Sequence, residues 1–195
     1  MTFKGNYKKK IVLLASGNGT NIENILNYFN NNDRVSFLKV FTNNSKAQVL
    51  KRIEPFNIKS RCFNFNELKE GVILKELKLL NPDLIILAGF LLKIPSSIIN
   101  YFTNIIINIH PALLPNYGGK GMYGINVHEA VKRNNERKSG ITIHYLDDSY
   151  DTGKIIFQKE VEIFESDSVE EISKKVHNLE LEHFPKVIES ILFKV

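Results

Sequence analysis

Three uninterrupted apolar runs constrain the fold of this chain more than any other feature. They occupy residues 11–15, 84–88 and 105–107 and consist of Ile, Val, Leu and Ala. A strand that is apolar on both sides has to be covered on both sides, as in a parallel sheet that lies between two layers of helices. Amphipathic helical patterns separate the runs. The sequence therefore predicts an α/β fold in three layers, with a mostly parallel sheet.

The segments around these runs extend the alternation of strands and helices. The sequence predicts further strands at residues 35–42 and 61–64, and helices at residues 21–29, 46–52, 66–80 and 95–101. Residues 140–145 and 154–161 alternate polar and apolar side chains, which is typical of antiparallel strands with one exposed face. We therefore expect this pair to continue the parallel sheet.

The C-terminal segment, residues 168–193, has the apolar periodicity of one long amphipathic helix. Ser166 or Asp167 is the expected cap, and Pro185 leaves open whether the helix is broken. Because no linker, repeat or low-complexity stretch divides the chain, we expect a single domain over residues 1–195.

Composition and charge narrow the class of protein. No apolar run approaches the roughly 18 residues that a membrane span needs, and no signal-peptide pattern follows the lysine-rich start. A single cysteine, Cys62, excludes an internal disulfide and fits a reducing compartment, and its apolar neighbour predicts that it is buried. The net charge of +5 comes from scattered lysines. We therefore expect a cytoplasmic protein that binds neither membranes nor nucleic acid.

Asn108 and His110 follow the third apolar run and are followed at once by Pro111. Residues i and i+2 of a strand point to the same face, so both side chains should project together at the carboxyl end of the strand, where open α/β sheets bind their ligands. An amide donor beside an imidazole suits a reaction in which a carbonyl oxygen becomes negative and a proton must move. Two satisfied polar side chains at a strand end are the alternative.

Two turns with glycine lie at the same predicted edge of the sheet. Residues 15–21, Ala-Ser-Gly-Asn-Gly-Thr-Asn, join the first strand to the first helix, where backbone N–H groups and the helix N-terminus can hold a phosphate. The segment lacks the Gly-Lys-Ser/Thr of a Walker A loop and the full dinucleotide-binding spacing, so a simple tight turn is the alternative. Gly89 and Phe90 follow the second run and offer close backbone approach and a flat apolar surface.

Residues 147–153, Asp-Asp-Ser-Tyr-Asp-Thr-Gly, contain three carboxylates. Asp151 is expected beside His110, where its charge would raise the pKa of the imidazole and fix its orientation. Asp147 and Asp148 compete for this role, although both suit a turn cap or a solvated surface better. No cluster of His, Cys and carboxylate residues has the spacing of metal ligands, so no metal is expected.

Four motifs of the chain occur in an order and spacing that a known family shares. They are Ser-Gly-Asn-Gly-Thr-Asn at residues 16–21, Leu-Ala-Gly-Phe at 87–90, Asn-Ile-His-Pro-Ala-Leu-Leu-Pro at 108–115, and His144 followed by Asp-Thr-Gly at 151–153. Together they resemble the folate-dependent phosphoribosylglycinamide formyltransferases of purine synthesis, over about residues 11 to 193. The resemblance implies a Rossmann-like formyltransferase fold with three layers, an antiparallel C-terminal strand pair and a long C-terminal helix.

The resemblance also implies a role for individual residues. It implies a catalytic trio (Asn108, His110, Asp151), a set that binds glycinamide ribonucleotide (Gly19, Thr20, Asn21, Glu180) and a set that binds the folate (Leu91, Leu92, Lys93, Ile94, Asn108). In the second set, the first three residues would cradle the phosphate. The resemblance further predicts a cis peptide bond at Leu114–Pro115, in the loop that follows His110.

The chain departs from the commonest pattern of the family at several positions. Leu92 stands where many members carry Arg, and Asn66 stands where some carry an Arg that contacts the folate. The contacts of the folate's glutamate tail are therefore open, with Lys93 as a candidate substitute. The loop at residues 116–124 is longer and richer in glycine than usual, and His128 follows it with at most a supporting role.

The expected activity is the transfer of a formyl group from 10-formyltetrahydrofolate to the amine of glycinamide ribonucleotide, by a monomer or weak homodimer. Asn108 and protonated His110 would stabilise the oxyanion, and Asp151 would raise the pKa of His110. A formyl hydrolase is expected to carry a further N-terminal domain, and an initiator-tRNA formyltransferase a C-terminal RNA-binding domain. A nucleotide-binding module without catalysis is a third alternative, and it would not need the trio to converge.

Overall fold

A computed structural model of the chain describes residues 7–194. Its strands are β1 (Lys9–Leu14), β2 (Val35–Thr42), β3 (Ser60–Cys62), β4 (Leu84–Leu87), β5 (Ile106–His110), β6 (Lys138–Tyr145) and β7 (Ile155–Glu162). Over the described residues these seven strands form one sheet in the order β3-β2-β1-β4-β5-β6-β7. The first five are parallel, whereas β6 and β7 are antiparallel to their neighbours. The predicted mixed sheet is confirmed.

The helices follow the strands closely in sequence. They are α1 (Thr20–Tyr28), α2 (Val49–Arg52), α3 (Phe65–Lys69), α4 (Val72–Leu80), α5 (Ser96–Tyr101), α6 (Ile125–Arg133) and α7 (Val169–Phe193), with one 3₁₀ turn at Glu54–Phe56. Short connections between parallel strands through helices leave the carboxyl ends of β1, β4 and β5 at one edge of the sheet. There the amide of Ser16 donates to the carbonyl of Gly89 at 2.9 Å, which joins two of the loops.

The sheet separates two apolar cores, as its uninterrupted apolar strands predict. Ile11 and Leu13 of β1 pack into the core that includes α1 and α7, whereas Val12 and Leu14 pack into the core that includes α4 and α5. All four side chains are at most 1% exposed. Burial of each such side chain contributes about 1.5–3 kcal/mol before the entropy of ordering is counted. The three predicted layers are confirmed.

The helix predicted over residues 66–80 is wrong in one respect, because two helices, α3 and α4, occupy this segment. The break lies at Gly71, whose φ of +83° is left-handed and ends the helical path. Asn64 caps α3 by accepting the amide of Glu67, whose carboxylate in turn accepts the amide of Asn64. The apolar periodicity continues across the break and hides it.

The long C-terminal helix α7 is confirmed, but its predicted cap is wrong. Ser168 caps the helix through a reciprocal pair of hydrogen bonds with Glu171. Asp167 instead accepts the amide of Phe164 and pairs with Lys175. Glu170 lies three residues after Asp167 just as Glu171 does after Ser168, but the Asp167 carboxylate is already bound by the Phe164 amide and Lys175, so the capping box forms at Ser168.

Pro185 lies inside α7 without breaking it. A proline has no N–H, so the carbonyl four residues earlier, that of Leu181, loses its helical donor. The side chain of Asn24 on α1 supplies the missing donor, because its Nδ2 lies 2.7 Å from that carbonyl oxygen. The helix therefore tolerates the proline, and α1 and α7 are joined at this point.

Two smaller expectations have opposite outcomes. The Leu114–Pro115 bond is cis, as predicted. Cys62 is exposed, so the prediction that it is buried is wrong. The reason is that β3 is a short strand at the edge of the sheet and pairs only with β2 among the described strands.

Candidate active site

Two cavities meet at the carboxyl edge of the sheet, where the loops after β1, β4 and β5 come together. The large cavity has a volume of about 680 Å³ and the small cavity a volume of about 80 Å³. Phe90, Leu91, Asn108, Tyr150 and Asp151 line both cavities and form their common wall. Two of these residues belong to the predicted catalytic trio, which puts the expected chemistry between the two spaces.

His110 lies at the end of β5, is only 3% exposed and lines the large cavity. Its Nε2–H donates to the backbone carbonyl of Tyr117 at 2.7 Å. A carbonyl can only accept, so this contact fixes the hydrogen on Nε2. The other ring nitrogen, Nδ1, lies 3.7 Å from Oδ2 of Asp151. The predicted convergence of His110 and Asp151 is therefore present, against the alternative of a module without catalysis.

Burial lowers the pKa of His110, and this effect outweighs the neighbours that raise it. Those neighbours are the Asp151 carboxylate, the carbonyl of Tyr117 and, more weakly, Glu180. The neutral imidazole is therefore favoured in the protein without substrates. Asp151 acts in the predicted direction, and the protonation of His110 during the reaction stays a prediction. The sequence reveals the partner carboxylate but not the depth of burial.

Asp151 sits in a left-handed backbone conformation, with φ of +55°, between two histidines. Its Oδ2 accepts the amide of Gly119 at 2.9 Å, and its Oδ1 lies 3.6 Å from Nε2 of His144. Burial alone would raise the pKa of this carboxyl, but the hydrogen bond from the Gly119 amide and the nearby His110 lower it below its ordinary value. Asp151 therefore keeps its negative charge beside His110.

The two competing carboxylates have different surroundings. Asp147 accepts hydrogen bonds from the amide of Ser149 and the hydroxyl of Thr152, and so caps the turn as predicted. Asp148 is exposed to solvent. Neither side chain lines the large cavity, so both are poorer candidates than Asp151 for orienting His110.

Asn108 is oriented by His144 on the neighbouring strand β6, with which it is paired in register. The Nδ1–H of His144 donates to the carbonyl of Tyr145 at 2.9 Å, which leaves Nε2 as an acceptor. Nδ2 of Asn108 donates to this Nε2 at 3.2 Å. An amide nitrogen carries two hydrogens, so the second one can still bind a ligand in the common wall.

The loop after β1 forms a cradle at the N-terminus of α1. Gly19 precedes the helix with φ of +79°, and a Cβ on it would lie 2.5 Å from Cβ of Val49, so both conformation and space require glycine. No side chain caps the helix within the described residues, and Gly19, Thr20 and Asn21 all line the large cavity. Unpaired amides at a helix start are a site for anions.

The far wall of the large cavity joins α1 to α7 through a carboxylate. Oε2 of Glu180 accepts both Nδ2 of Asn21 and Nδ1–H of His177, each at 2.9 Å. The hydrogen bond to Glu180 raises the pKa of His177 despite burial. Oδ1 of Asn21 is buried and has no hydrogen-bond partner in the described part of the chain. This oxygen is free to accept a donor from a ligand.

The segment at residues 91–94 borders the small cavity. The amide of Leu91 donates to Oγ of Ser16 at 2.8 Å, and Leu92, Lys93 and Ile94 line the cavity. Nζ of Lys93 lies 5.5 Å from the ring centroid of Tyr150, in a cation–π contact. Asn66 lies in α3 and lines neither cavity. The segment predicted to flank the folate therefore adjoins the trio.

The glycine-rich loop and His128 border the large cavity as well. Residues 119–125 line it, and Gly119, Gly121 and Gly124 have positive φ, which lets this loop turn sharply over the cavity. His128, in the first turns of α6, also lines it and is 4% exposed. Burial lowers the pKa of His128.

Within residues 7–194 no group of three or more His, Cys and carboxylate side chains could hold a metal ion. Over the same part of the chain, no helix combines the length and apolar character that crossing a membrane requires.

Comparison with known proteins supports the same class of enzyme as the geometry of the site. The family model described as formyl transferase matches residues 9–188, which is nearly the whole chain. The chain belongs to the formyl transferase family. The predicted resemblance is thereby confirmed at the level of the family, and the fold class with it.

Individual formyl transferases show how far the similarity extends. The phosphoribosylglycinamide formyltransferase of Bacillus subtilis is 36% identical over 190 residues, which cover 94% of this chain and 95% of that protein. The enzyme of the same name from Escherichia coli is 29% identical over 184 residues, covering 91% and 84%. The crystal structure of phosphoribosylglycinamide formyltransferase from Bacillus halodurans superposes with a TM-score of 0.86 at 29% identity, covering 95% of this chain and 96% of that chain.

The structure brings the predicted residues of this formyl transferase into three adjoining places. Asn108 and Asp151 lie in the common wall with His110 beside Asp151, the cradle and Glu180 line the large cavity, and residues 91–94 adjoin the small cavity. Sequence reasoning missed His144, His177 and the carbonyl of Tyr117. His144 stands in one of the family motifs and could have been found from its strand position. The other two contacts depend on helix packing and loop conformation, which leave no local signal.

Proposed function

We propose that this protein transfers a formyl group from 10-formyltetrahydrofolate to the amine of glycinamide ribonucleotide in de novo purine (IMP) biosynthesis. One observation carries the proposal. Asn108 and Asp151 stand in a wall common to two cavities, with His110 beside them. A group transfer needs its donor and acceptor on either side of the reacting atom, with catalytic groups between them.

The large cavity is proposed to take glycinamide ribonucleotide. Support comes from the cradle at Gly19, Thr20 and Asn21, where open helix amides suit a phosphate. Glu180 and the unpaired Oδ1 of Asn21 are acceptors that suit the hydroxyl groups of a ribose. The amine of the nucleotide would then extend towards His110.

The small cavity is proposed to take the ring end of the folate. Its lining includes Leu87, Ile99 and Leu146, whose apolar surfaces suit a flat ring, together with Leu91, Leu92, Lys93, Ile94 and Asn108. Asn108 would then contact both the folate and the formyl oxygen. The folate is a substrate here, since it gives up its formyl group and leaves as tetrahydrofolate.

The proposed reaction starts when the amine nitrogen attacks the formyl carbon and the carbonyl pair moves onto oxygen. The free amide hydrogen of Asn108 stabilises this oxyanion, and His110 joins it once its ring has gained the proton that the amine loses, since the Nε2–H of the neutral ring is bound to Tyr117. When the carbonyl re-forms, the bond to folate N10 breaks, and N10 receives a proton from His110. The charge of Asp151 stabilises the imidazolium that exists during this step. Overall, one proton moves from the amine to N10.

A direct assay tests the proposed function. The purified protein with both substrates should form formylglycinamide ribonucleotide and tetrahydrofolate in equal amounts. With 10-formyltetrahydrofolate alone it should release no formate above the background rate. Formate release without the nucleotide would instead identify a hydrolase, and no turnover under either condition would reject both enzyme functions.

An anion should bind at the cradle. In a crystal soaked with sulfate or with glycinamide ribonucleotide, we expect the anion against the amides of Gly19, Thr20 and Asn21. The competing site is the lysine cluster at the start of β1, Lys8, Lys9 and Lys10, so Lys8→Ala is a matched control that should leave the KM for the nucleotide within twofold. An anion found only at Lys8 or its neighbours would contradict the assignment.

Lys93 should assist the binding of the folate's glutamate tail. We expect Lys93→Ala to raise the KM for 10-formyltetrahydrofolate about fivefold at low salt, as for one partly exposed ion pair, with kcat unchanged. Lys78→Ala is the control, because Lys78 also lies over a tyrosine ring, that of Tyr101, at 4.1 Å, and lines neither cavity. Equal KM values for the two variants would remove Lys93 from the folate site.

We also propose that a single formyltransferase domain accounts for residues 1–195. The family match over residues 9–188 supports this organisation. A cytoplasmic location and a monomer or weak homodimer stay predictions. Sedimentation of the purified protein over a range of concentrations tests the oligomeric state.

A further inference from the structure

His128 lies in the wall of the large cavity, and the reaction as described above does not use it. Its ring is 4% exposed, yet its Nδ1 has no hydrogen-bond partner among residues 7–194. A buried imidazole nitrogen without a partner has lost its hydration without compensation. Packing alone does not explain why a histidine occupies position 128, because an apolar side chain of similar size could fill the same space without losing hydration.

The groups that face His128 are His110 from β5 and Glu180 from α7, while Lys120, Asp151 and His177 line the same cavity. Asp151 lies 3.7 Å from His110, whereas no carboxylate of the described chain forms an ion pair with His128. Two histidines that repel each other's charge resist being protonated together. A proton shared by the two rings is therefore favoured on His110, and His128 is favoured as the neutral partner.

We propose that His128 is a catalytic residue, which takes the proton that the attacking amine loses and passes it to His110. The proposal rests on the proposed function and deepens it, since it names the base that the nucleotide side of the reaction needs. His128 lines the same cavity as the cradle, Glu180 and His110, so both rings border the space proposed for the nucleotide.

The step balances with the groups that the site holds. The amine lone pair forms the bond to the formyl carbon, and the nitrogen becomes positive. His128, which is neutral, accepts one proton from this nitrogen. The proton then moves to His110 and from there to N10, as the bond between N10 and the formyl carbon breaks. Both rings end neutral, and no other reactant is consumed.

The test removes the ring and offers a replacement base. We expect His128→Ala to lower kcat about 100-fold, as for loss of a general base, with little change in the KM for the nucleotide. Added imidazole should restore part of the rate, and a series of substituted imidazoles should restore more as the pKa of the base rises. A merely structural histidine shows no such dependence on the pKa of the added base.

His183→Ala is a matched control. His183 is a second histidine with a buried ring nitrogen, Nε2, that lacks a hydrogen-bond partner among the described residues, but it packs on Phe157 and lines neither cavity. We expect its kcat to stay within twofold of the wild type, with no effect of imidazole. If His128→Ala does not fold, His128→Asn keeps a polar side chain there and is measured in its place, by kcat against pH. We expect an acidic inflection in the wild-type profile and its loss in the variant.

Two results would overturn the proposal. One is a kcat of either His128 variant within threefold of the wild type, and the other is a loss of rate with no rescue by imidazole and an unchanged pH profile. Both results count against the proposal only if the wild-type protein forms formylglycinamide ribonucleotide. A wild type without that activity would instead reject the proposed function itself, so the two failures are distinguishable.

Discussion

His110→Ala is expected to lower kcat by about 1,000-fold or more while the protein stays folded. His110 is the group that lies beside both Asp151 and the common wall of the two cavities, so its loss removes oxyanion stabilisation and the proton donor to N10 together. The ring borders a cavity at the end of β5, so its removal leaves the apolar cores intact. Steady-state kinetics with both substrates, with circular dichroism of the variant, measure the two effects.

A defined residual kcat of His110→Ala would contradict this prediction. A His110→Ala variant that kept more than about a tenth of the wild-type kcat would have lost less than 1.4 kcal/mol of transition-state stabilisation, too little for a central acid–base group. The affinity for the nucleotide should change little, because the cradle at Gly19–Asn21 and Glu180 are untouched. A large loss of affinity with normal kcat would make His110 a binding residue.

Asp151→Asn is expected to lower kcat severely, by about 100-fold near pH 8, with little change in nucleotide affinity. The amide oxygen can still accept the amide of Gly119, so the loop keeps its contact. The negative charge is lost, and the pKa of His110, which burial already lowers, falls further. The imidazolium needed for proton delivery to N10 becomes harder to form, so the loss falls on the chemical step.

The pH dependence of this variant has a definite sign. Since the pKa of His110 falls when Asp151 is neutralised, the deficit relative to the wild type should be largest at high pH. It should shrink as the pH is lowered towards the new pKa, because solvent then protonates His110 in both proteins. Asp148→Asn is the control, because Asp148 is exposed and lines neither cavity, and it should leave kcat within twofold. A deficit for Asp151→Asn that appears only in the nucleotide Kd would make Asp151 a substrate contact.

The architecture was predictable because its signals are local and repeated. Fully apolar runs such as residues 84–88 need cover on both sides, and that requirement alone leads to a layered parallel sheet. The junction of α3 and α4 was not predictable, because Gly71 changes the chain direction without interrupting the apolar spacing. Similarly, Ser168 rather than Asp167 caps α7 because the Asp167 carboxylate binds the Phe164 amide and Lys175, contacts that a search for single capping residues overlooks.

The candidate site was predictable where side chains stand at strand ends. Asn108 and His110 share a face by strand geometry, and Asp151 follows the adjacent strand. What the sequence could not give is the environment of these groups. The carbonyl of Tyr117 reaches His110 through the shape of a loop, and the burial that lowers the pKa of His110 is a property of the whole assembly of layers.

The hydrogen bond from Asn24 to the carbonyl of Leu181 joins α1 to α7, the two helices that carry the cradle and Glu180 on either side of the large cavity. Pro185 leaves that carbonyl with one missing donor, and the matching donor stands at one position on α1. A shift of α7 by one turn, about 5.4 Å, would leave the carbonyl unpaired and carry Glu180 away from Asn21. Pro185 thus favours one position of α7 along α1. The distance from the cradle on α1 to Glu180 is fixed in consequence, and it limits the length of a molecule that fits between them.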